Sequence, residues 1–233
     1  EFRRVLFRSE ISCIRRACEI ADKSFTEILN FIKAGVREYE VAAKLEYIMR
    51  QFGSERAAFD TIVASGVRGS LPHGRATDKI ILDGELVTLD FGAVYNGYHS
   101  DMTRTICVGK ASSRQREIYN VVLDAQIYGL SVIKVGNSGK AIDEKVRERI
   151  KSLGYGENFV HGLGHSLGLE IHEEPRLSPR STCESLEENM IVTDEPGIYI
   201  PNFGGVRIED TVLVTANGAE PLTKSPKNLL ELS

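Results

Sequence analysis

Four carboxylates interrupt apolar, strand-like stretches of this chain, and any fold must bring each of them to a partner or to water. Asp90 stands in "ELVTLDFGAVYNG", Asp101 in "YHSDMTRTICV", Glu195 in "MIVTDEPGIYI" and Glu209 in "GGVRIEDTVLV". Their β-branched and apolar neighbours are those of buried strands, where an ionised acid without a partner is costly. Asn96-Gly97 is a tight-hairpin signal between the first two runs. In an antiparallel hairpin the indices of opposed residues have a constant sum. A turn centred on 95–96 or on 96–97 makes that sum odd, so Asp90 and Asp101 share a face, opposite or one diagonal apart. Like charges so placed repel unless a cation lies between them. For that pair alone, two solvated acids on a polar hairpin face is the simpler reading. For the second pair, Arg207 could neutralise one acid, and Asp194 or Asp210 could face solvent on the alternate side.

The segment "HGLGHSLGLEIHEEP" (161–175) shifts the balance. It carries His161, His165 and His172 within twelve residues, interleaved with Gly162, Gly164 and Gly168. His161 and His165 are four apart, a spacing that would share a helical face, but the glycines disfavour a helix and point to a strand or loop. Glycines also let a ligand approach the backbone closely. Four carboxylates in apolar contexts plus these histidines exceed what two ion pairs explain, and indicate a metal site with a proton-handling shell. A donor set of carboxylates with one imidazole suits Mn²⁺ or a similar divalent ion better than a thiolate zinc site. Four acids carry enough charge for two ions about 3.5–4 Å apart.

The rest of the chain sets the frame. Its 233 residues, 42% hydrophobic, suffice for one large domain with a full core. Apolar residues recur with helical period from Ile11 to Ile32, with Gly35 as the stop, and again over Arg37–Phe52 before Gly53. Two further helical patterns, Ser113–Lys134 and Gly139–Gly154, separate two β-rich regions. The order helix, helix, strands, helix, helix, strands predicts an α+β single domain of two similar halves around one mixed sheet. A formal charge of −4 with scattered lysines and arginines gives no basic field for nucleic acid. No apolar run is long enough to span a membrane and no leader is evident, so the expected compartment is cytoplasmic. The cysteines (Cys13, Cys18, Cys107, Cys183) form no C-x-x-C pair and read as free thiols. Residues 1–9 read as a linker or cloning remnant, leaving 10–233 as the domain.

Taken together, "LPHGRATDK", "LVTLDFGAVYNGYHSDMTRT", "HGLGHSLGLEIHEEPRLSP" and "TDEPGIYIPNFGGVRIEDTVLVT" resemble the catalytic domain of the pita-bread metallopeptidases, in the aminopeptidase P and Xaa-Pro dipeptidase branch. The resemblance runs from about Ile11 to the C-terminus. It implies the creatinase/aminopeptidase fold, two similar halves around a curved mixed β-sheet with helices outside. It maps Asp90, Asp101, His165, Glu195 and Glu209 onto five ligands of two divalent ions, most simply Mn²⁺, with Co²⁺, Zn²⁺ or Fe²⁺ as alternatives. In that pattern Asp90 holds one ion, His165 and Glu195 the other, and Asp101 and Glu209 bridge. His73, His161 and His172 surround the substrate, His161 and His172 contacting the scissile carbonyl or the prolyl residue, and Arg207 supports this shell. The reaction implied is attack on the first peptide bond of an Xaa-Pro dipeptide or peptide by a hydroxide shared between the ions. Glu195 moves the proton and an imidazole stabilises the oxyanion. A homodimer is also implied as a possibility. Such enzymes generally carry an N-terminal domain ahead of the catalytic one, and this sequence starts at the catalytic domain's first helix.

Two departures from the pattern stand out. Ser166 takes the place of a glycine after the ligand histidine, and Asp194 that of an apolar residue; either is expected to lower activity. The nearest rival is methionine aminopeptidase, which shares fold and ligands, but "GLEIHEEP", "GVRIEDT" and Asp210 after the last glutamate resemble the Xaa-Pro branch. A pita-bread binding module that has lost catalysis is the rival from another class, and retention of all five ligand residues speaks against it.

Overall fold

The computed structural model describes residues 5–232. Helix α1 (Arg8–Ile28) buries Ile11, Ile14, Cys18, Ala21, Phe25 and Ile28 along one stripe. The sequence pattern ran on to Ile32, but the helix closes four residues earlier. Asn30 and Phe31 donate to the carbonyls of Glu27 and Ile28, tightening the last turn into i−3 bonds. Ile32 remains buried after the helix has ended, which is why the apolar spacing persists. Helix α2 (Glu38–Gln51) stops before Gly53, whose φ of +100° favours glycine. Helix α3 (Ser113–Val132) begins at a reciprocal cap: Gln115 N–H donates to Ser112 Oγ, and Ser112 N–H to Gln115 Oε1. Helix α4 (Gly139–Ser152) is capped by Ser138. Within the segment set aside as a remnant, Arg8 and Ser9 belong to α1 and Leu6 N–H bonds Asn189 O; residues 1–4 of it lie outside the described residues.

The described residues also form thirteen strands, numbered in chain order: β1 (Ile62–Ser65), β2 (Leu86–Phe91), β3 (Val94–Tyr95), β4 (Tyr98–His99), β5 (Met102–Val108), β6 (Gly164–Ser166), β7 (Glu173–Leu177), β8 (Ile191–Asp194), β9 (Gly197–Ile200), β10 (Gly204–Arg207), β11 (Asp210–Thr215), β12 (Gly218–Pro221) and β13 (Glu231–Leu232). They form a four-stranded sheet ordered β1-β2-β5-β13, a five-stranded sheet ordered β12-β11-β8-β6-β7, and the ribbons β3-β4 and β9-β10. The mixed character comes from β13, which runs parallel to β5; the other pairs are antiparallel. Glu209 N–H donates to Thr103 O at 3.1 Å, joining β5 to the start of β11.

The two halves repeat one solution. In the first, Phe25, Val41 and Leu45 from α1 and α2 pack on Val87, Leu89 and Ile106 of the four-stranded sheet. In the second, Ile118, Val122, Ile142 and Val146 from α3 and α4 pack on Val192, Val212 and Val214 of the five-stranded sheet. The start of α1 crosses between them, setting Ile11, Ile14 and Cys18 against Leu167, Ile191 and Leu213. Burying both helix pairs leaves the inner strand ends to meet in the middle, and the acids lie there. Among the described residues, no helix is long and apolar enough to cross a membrane.

Candidate metal centre

The hairpin arithmetic has a geometric outcome. Asn96 and Gly97 adopt φ of +48° and +79°, the left-handed pair of a two-residue turn. Val94 then faces His99, and in the longer ladder Asp90 faces Thr103. Asp101, just before β5, is therefore one diagonal step from Asp90. Glu195 follows the last residue of β8, and Glu209 lies in the break between β10 and β11. His165 sits on β6, beside an irregularity in its pairing with β7. Each of these acids and the imidazole thus sits in or beside a break in strand pairing, or on a strand that borders one, where a side chain can be aimed at a common point.

Ligand-type atoms of Asp101, His165 and Glu209, all buried, lie within 4.8 Å of one another. Glu195 approaches from the side, its Oε1 3.4 Å from His165 Nε2, while Asp101 Oδ2 is 3.6 Å from the same nitrogen. Asp90 stands outside the compact trio: its Oδ2 accepts Arg207 Nη2 at 2.5 Å. Thr103 Oγ1 donates to Glu209 Oε2 at 2.5 Å and Thr193 Oγ1 to Glu195 Oε1 at 3.1 Å, fixing which oxygens remain available. Asp90 Oδ1 and Asp101 Oδ1 are buried and accept no hydrogen bond from the described residues.

The electrostatics follow from this crowding. Burial, then the charges of Glu209, Asp90 and Glu195, pushes the Asp101 carboxyl well above the usual range. Burial, then Glu195 and Asp90, does the same to Glu209. Burial above all pushes Glu195 up to about 8. Burial and neighbouring His172 lower His165 to about 3, so its imidazole is neutral. With Nδ1–H donating to Ser166 O at 3.1 Å, the Nε2 lone pair points at the acids. A lone pair and converging carboxylate oxygens, two of them orphaned, repel as they stand. A hard divalent cation converts that repulsion into coordination, so the residues present fit such an ion.

The acids line the floor of a cavity of about 640 Å³, walled by Phe59, Ile62, Pro72 and Ile171 and by His73, His161 and His172. His73 and His172 are exposed there, and the His172 ring meets His165 edge-on at 4.4 Å. His161 is differently placed. Its Nδ1 is 2.7 Å from Gly162 O and its Nε2 2.8 Å from Tyr199 Oη, so both ring nitrogens are engaged. Burial, then the Arg207 charge, lowers it to about 4 and keeps it neutral. Arg207 is the hub: besides Asp90, it donates to Tyr199 Oη, to Thr103 Oγ1 and to Pro72 O. Burial acts to lower its pKa, but Tyr199, Asp90, Glu209 and Glu195 together hold it well above its ordinary value. Of the pairings left open for Arg207 in the sequence, neutralisation of Glu195 or Glu209 is not the one adopted: its ion pair is with Asp90.

Tyr199 and Thr103 were not among the sequence-derived residues. Both were within reach of the same parity argument, since Thr103 opposes Asp90, and Tyr199 lies one diagonal from Arg207 on the β9-β10 ribbon. A second reading left open concerns Asp194 and Asp210. Neither faces solvent; they sit opposite each other on β8 and β11, fully buried. Ser166 Oγ donates to Ile191 O at 2.7 Å, and Ser166 is not among the cavity's lining residues.

Comparison with known proteins identifies the family. Residues 12–216 match metallopeptidase family M24. The Xaa-Pro dipeptidase of Pyrococcus furiosus is 54% identical over 99% of this chain and 66% of its own length. Among solved structures, an Xaa-Pro dipeptidase from Bacillus anthracis superposes with a TM-score of 0.97 at 53% identity, over 99% of this chain and 64% of that one. An X-Pro aminopeptidase from Thermotoga maritima gives 0.96 at 45% identity, over 98% and 65%. The chain spans just under two thirds of the length of these relatives. Its α+β architecture is the pita-bread fold of these neighbours, and the chain belongs to metallopeptidase family M24, whose members use divalent metal.

Proposed function

We propose that this chain is the catalytic domain, within residues 10–233, of a metal-dependent exopeptidase that hydrolyses the N-terminal peptide bond of Xaa-Pro dipeptides or peptides. The observation that carries it is the convergence of acids from both halves of the fold around His165 Nε2, with orphaned oxygens on Asp90 and Asp101. Relatives named Xaa-Pro dipeptidase support the substrate class. Asp90, Asp101, His165, Glu195 and Glu209 would hold two divalent ions, with Mn²⁺ the best match to an oxygen-rich set. When bound, the ions supply a Lewis acid for the carbonyl and lower the pKa of water.

The protein's own groups do the remainder. Glu195, on the cavity floor beside His165, takes the proton released on attack and delivers it to the prolyl nitrogen as the bond breaks. His73 and His172, exposed in the cavity, donate to the carbonyl oxygen as it gains charge. His161 holds Tyr199 and Arg207 in place and forms the wall against which the prolyl ring packs. The test is release of the N-terminal residue from Xaa-Pro dipeptides and longer Xaa-Pro peptides, with Mn²⁺ and after chelation. Metal-dependent cleavage of Xaa-Pro bonds, abolished together with ion retention by Asp101→Ala, is the expected outcome. Cleavage of Met-Ala peptides with no action on Xaa-Pro peptides would make the chain a methionine aminopeptidase. Full activity in Asp101→Ala would overturn the site.

A further inference from the structure

Glu38, at the start of α2, is fully buried, yet it lines neither the cavity nor the acid cluster. A buried carboxylate is tolerated only when its oxygens are satisfied, and this one accepts five hydrogen bonds. Oε1 takes Ser65 N–H and Ser65 Oγ, both at 2.8 Å. Oε2 takes Arg68 Nη1 at 2.7 Å, Thr77 Oγ1 at 2.8 Å and Thr77 N–H at 3.1 Å. The donors come from the two ends of one excursion of the chain, residues 65–77, which leaves β1 at Ser65 and returns at Thr77. Arg68 adds a cross-brace by donating Nη2 to Arg75 O at 2.8 Å. At the far end of the excursion stand Pro72 and His73, where Pro72 O accepts Arg207 Nη1 at 3.1 Å.

We propose that Glu38 is a positioning residue for His73: by clamping both ends of the 65–77 excursion on one carboxylate, it sets where the His73 imidazole stands over the cavity. This rests on the reading of His73 as a substrate-facing group. The excursion contains one short 3₁₀ turn (Gly66–Ser70) and has little regular pairing of its own. Its ends meet on Glu38 and its tip on Arg207, with further ties from the Ile62–Arg75 bridge, the Arg75–Asp60 ion pair at 2.8 Å and Lys79 Nζ, which donates to Ser65 Oγ at 2.9 Å; of these, Glu38 alone takes donors from both ends of the excursion. Close approaches leave no slack between them: a Cβ on Gly69 would stand 3.1 Å from Gly205 N, and one on Gly74 3.1 Å from Ala64 Cβ. Removing the base anchor frees the ends to separate, and the tip moves with them.

The test compares Glu38→Gln, His73→Ala and the double variant in the full chain loaded with Mn²⁺, measuring kcat and KM on an Xaa-Pro dipeptide. Amide exchange of residues 66–77 is followed in the metal-free protein. Glutamine keeps the shape but replaces one acceptor by a donor facing other donors. Glu38→Gln is expected to lower kcat/KM by about 10- to 100-fold, as misplacement of a contacting group does. Mn²⁺ content should be unchanged, and exchange should quicken in 66–77 but not in β2 or β5. Adding Glu38→Gln to His73→Ala should cost little more, because the two act on one group. Full additivity in that cycle, unchanged kinetics in Glu38→Gln, or uniform quickening of exchange would overturn the proposal. An inert His73→Ala would overturn it through the reading of His73, while loop-specific exchange would still report the clamp. If Glu38→Gln does not fold, Ser65→Ala and Thr77→Val each remove one donor and enter the same cycle.

Discussion

Two buried clusters of charged side chains lie side by side in this molecule, one around a single acid and one around four, and they are provisioned in opposite ways. Around Asp210, donors outnumber acids. Oδ1 takes Arg104 Nη2 and Thr223 Oγ1, and Oδ2 takes Lys227 Nζ and Gln126 Nε2, all at 2.7 to 2.9 Å. Arg104 also reaches the carbonyls of Thr103, Glu209, Ser225 and Pro226, binding the C-terminal segment beneath the ligand strands. One residue along the chain, the pocket reverses the ratio: Asp90 shares Arg207 with Tyr199 and a carbonyl, and Asp101 Oδ1 has no donor among the described residues. The first cluster is finished as it stands, whereas the second is complete only with cations. Asp194 belongs to neither. It faces Asp210 across the strand pair, yet both of its oxygens lack donors among the described residues, and it packs on Gly129 of α3.

The comparison can be broken or sharpened by mutation. The largest effect is expected at Asp210. Asp210→Ala leaves the fully buried Arg104 without its acid and takes the partner from half-buried Lys227, and should cost about 3–5 kcal/mol, read from urea unfolding of the metal-free chain. Asp194→Val should move the other way, stabilising by about 1–3 kcal/mol, because it removes an unsatisfied group and restores a β-branched side chain to β8. Effects of opposite sign at these two positions would confirm that donors, not depth, separate them; destabilisation at both would refute it.

Gly129→Ala places a Cβ 2.3 Å from Asp194 Oδ1 and should cost about 1–3 kcal/mol by overpacking. In an Asp194→Ala background most of that cost should vanish, since the same atoms are in conflict. Additive effects in this cycle would show that Gly129 is needed for some other reason.

The smallest effect is the pH dependence, and its sign differs between the two acids. Burial would raise the Asp210 carboxyl, but the charges and hydrogen bonds of Arg104 and Lys227 hold it below its ordinary value. Its stabilisation is therefore present above the unfolded pKa of about 3.9 and lost as pH falls through the folded value. Burial, then Asp210, holds Asp194 well above its ordinary value. The fold keeps a proton that the unfolded chain releases, so this group costs least at acid pH and more as pH rises toward its folded pKa. Thermal melts should show the advantage of Asp194→Val widening from pH 5 to 8. A constant advantage would mean that its carboxyl is not the cause.

These contrasts mark what a linear reading can reach. The helix pairs were legible because burial of one stripe imposes a period on the sequence, and Ile11 to Ile28 show it directly. The shared face of Asp90 and Asp101 was legible because hairpin register is arithmetic once the turn is known. A solvent-facing Asp194 or Asp210 stayed open in the sequence because alternation assigns a strand one wet face, whereas both faces of β8 and β11 are covered. Glu38 gave no signal at all: it lies on a helix, 27 to 39 residues from the groups that satisfy it.

The sequence by itself determined the ingredients: two amphipathic helix pairs, strands broken by acids, and a glycine-rich histidine segment, each a consequence of short-range periodicity or turn geometry. Only the tertiary structure decided which acids are paired and which are left short of donors. That ratio depends on side chains from elements far apart in the chain converging within about 3 Å of one another, where hydrogen bonds form, and no local pattern records such convergence.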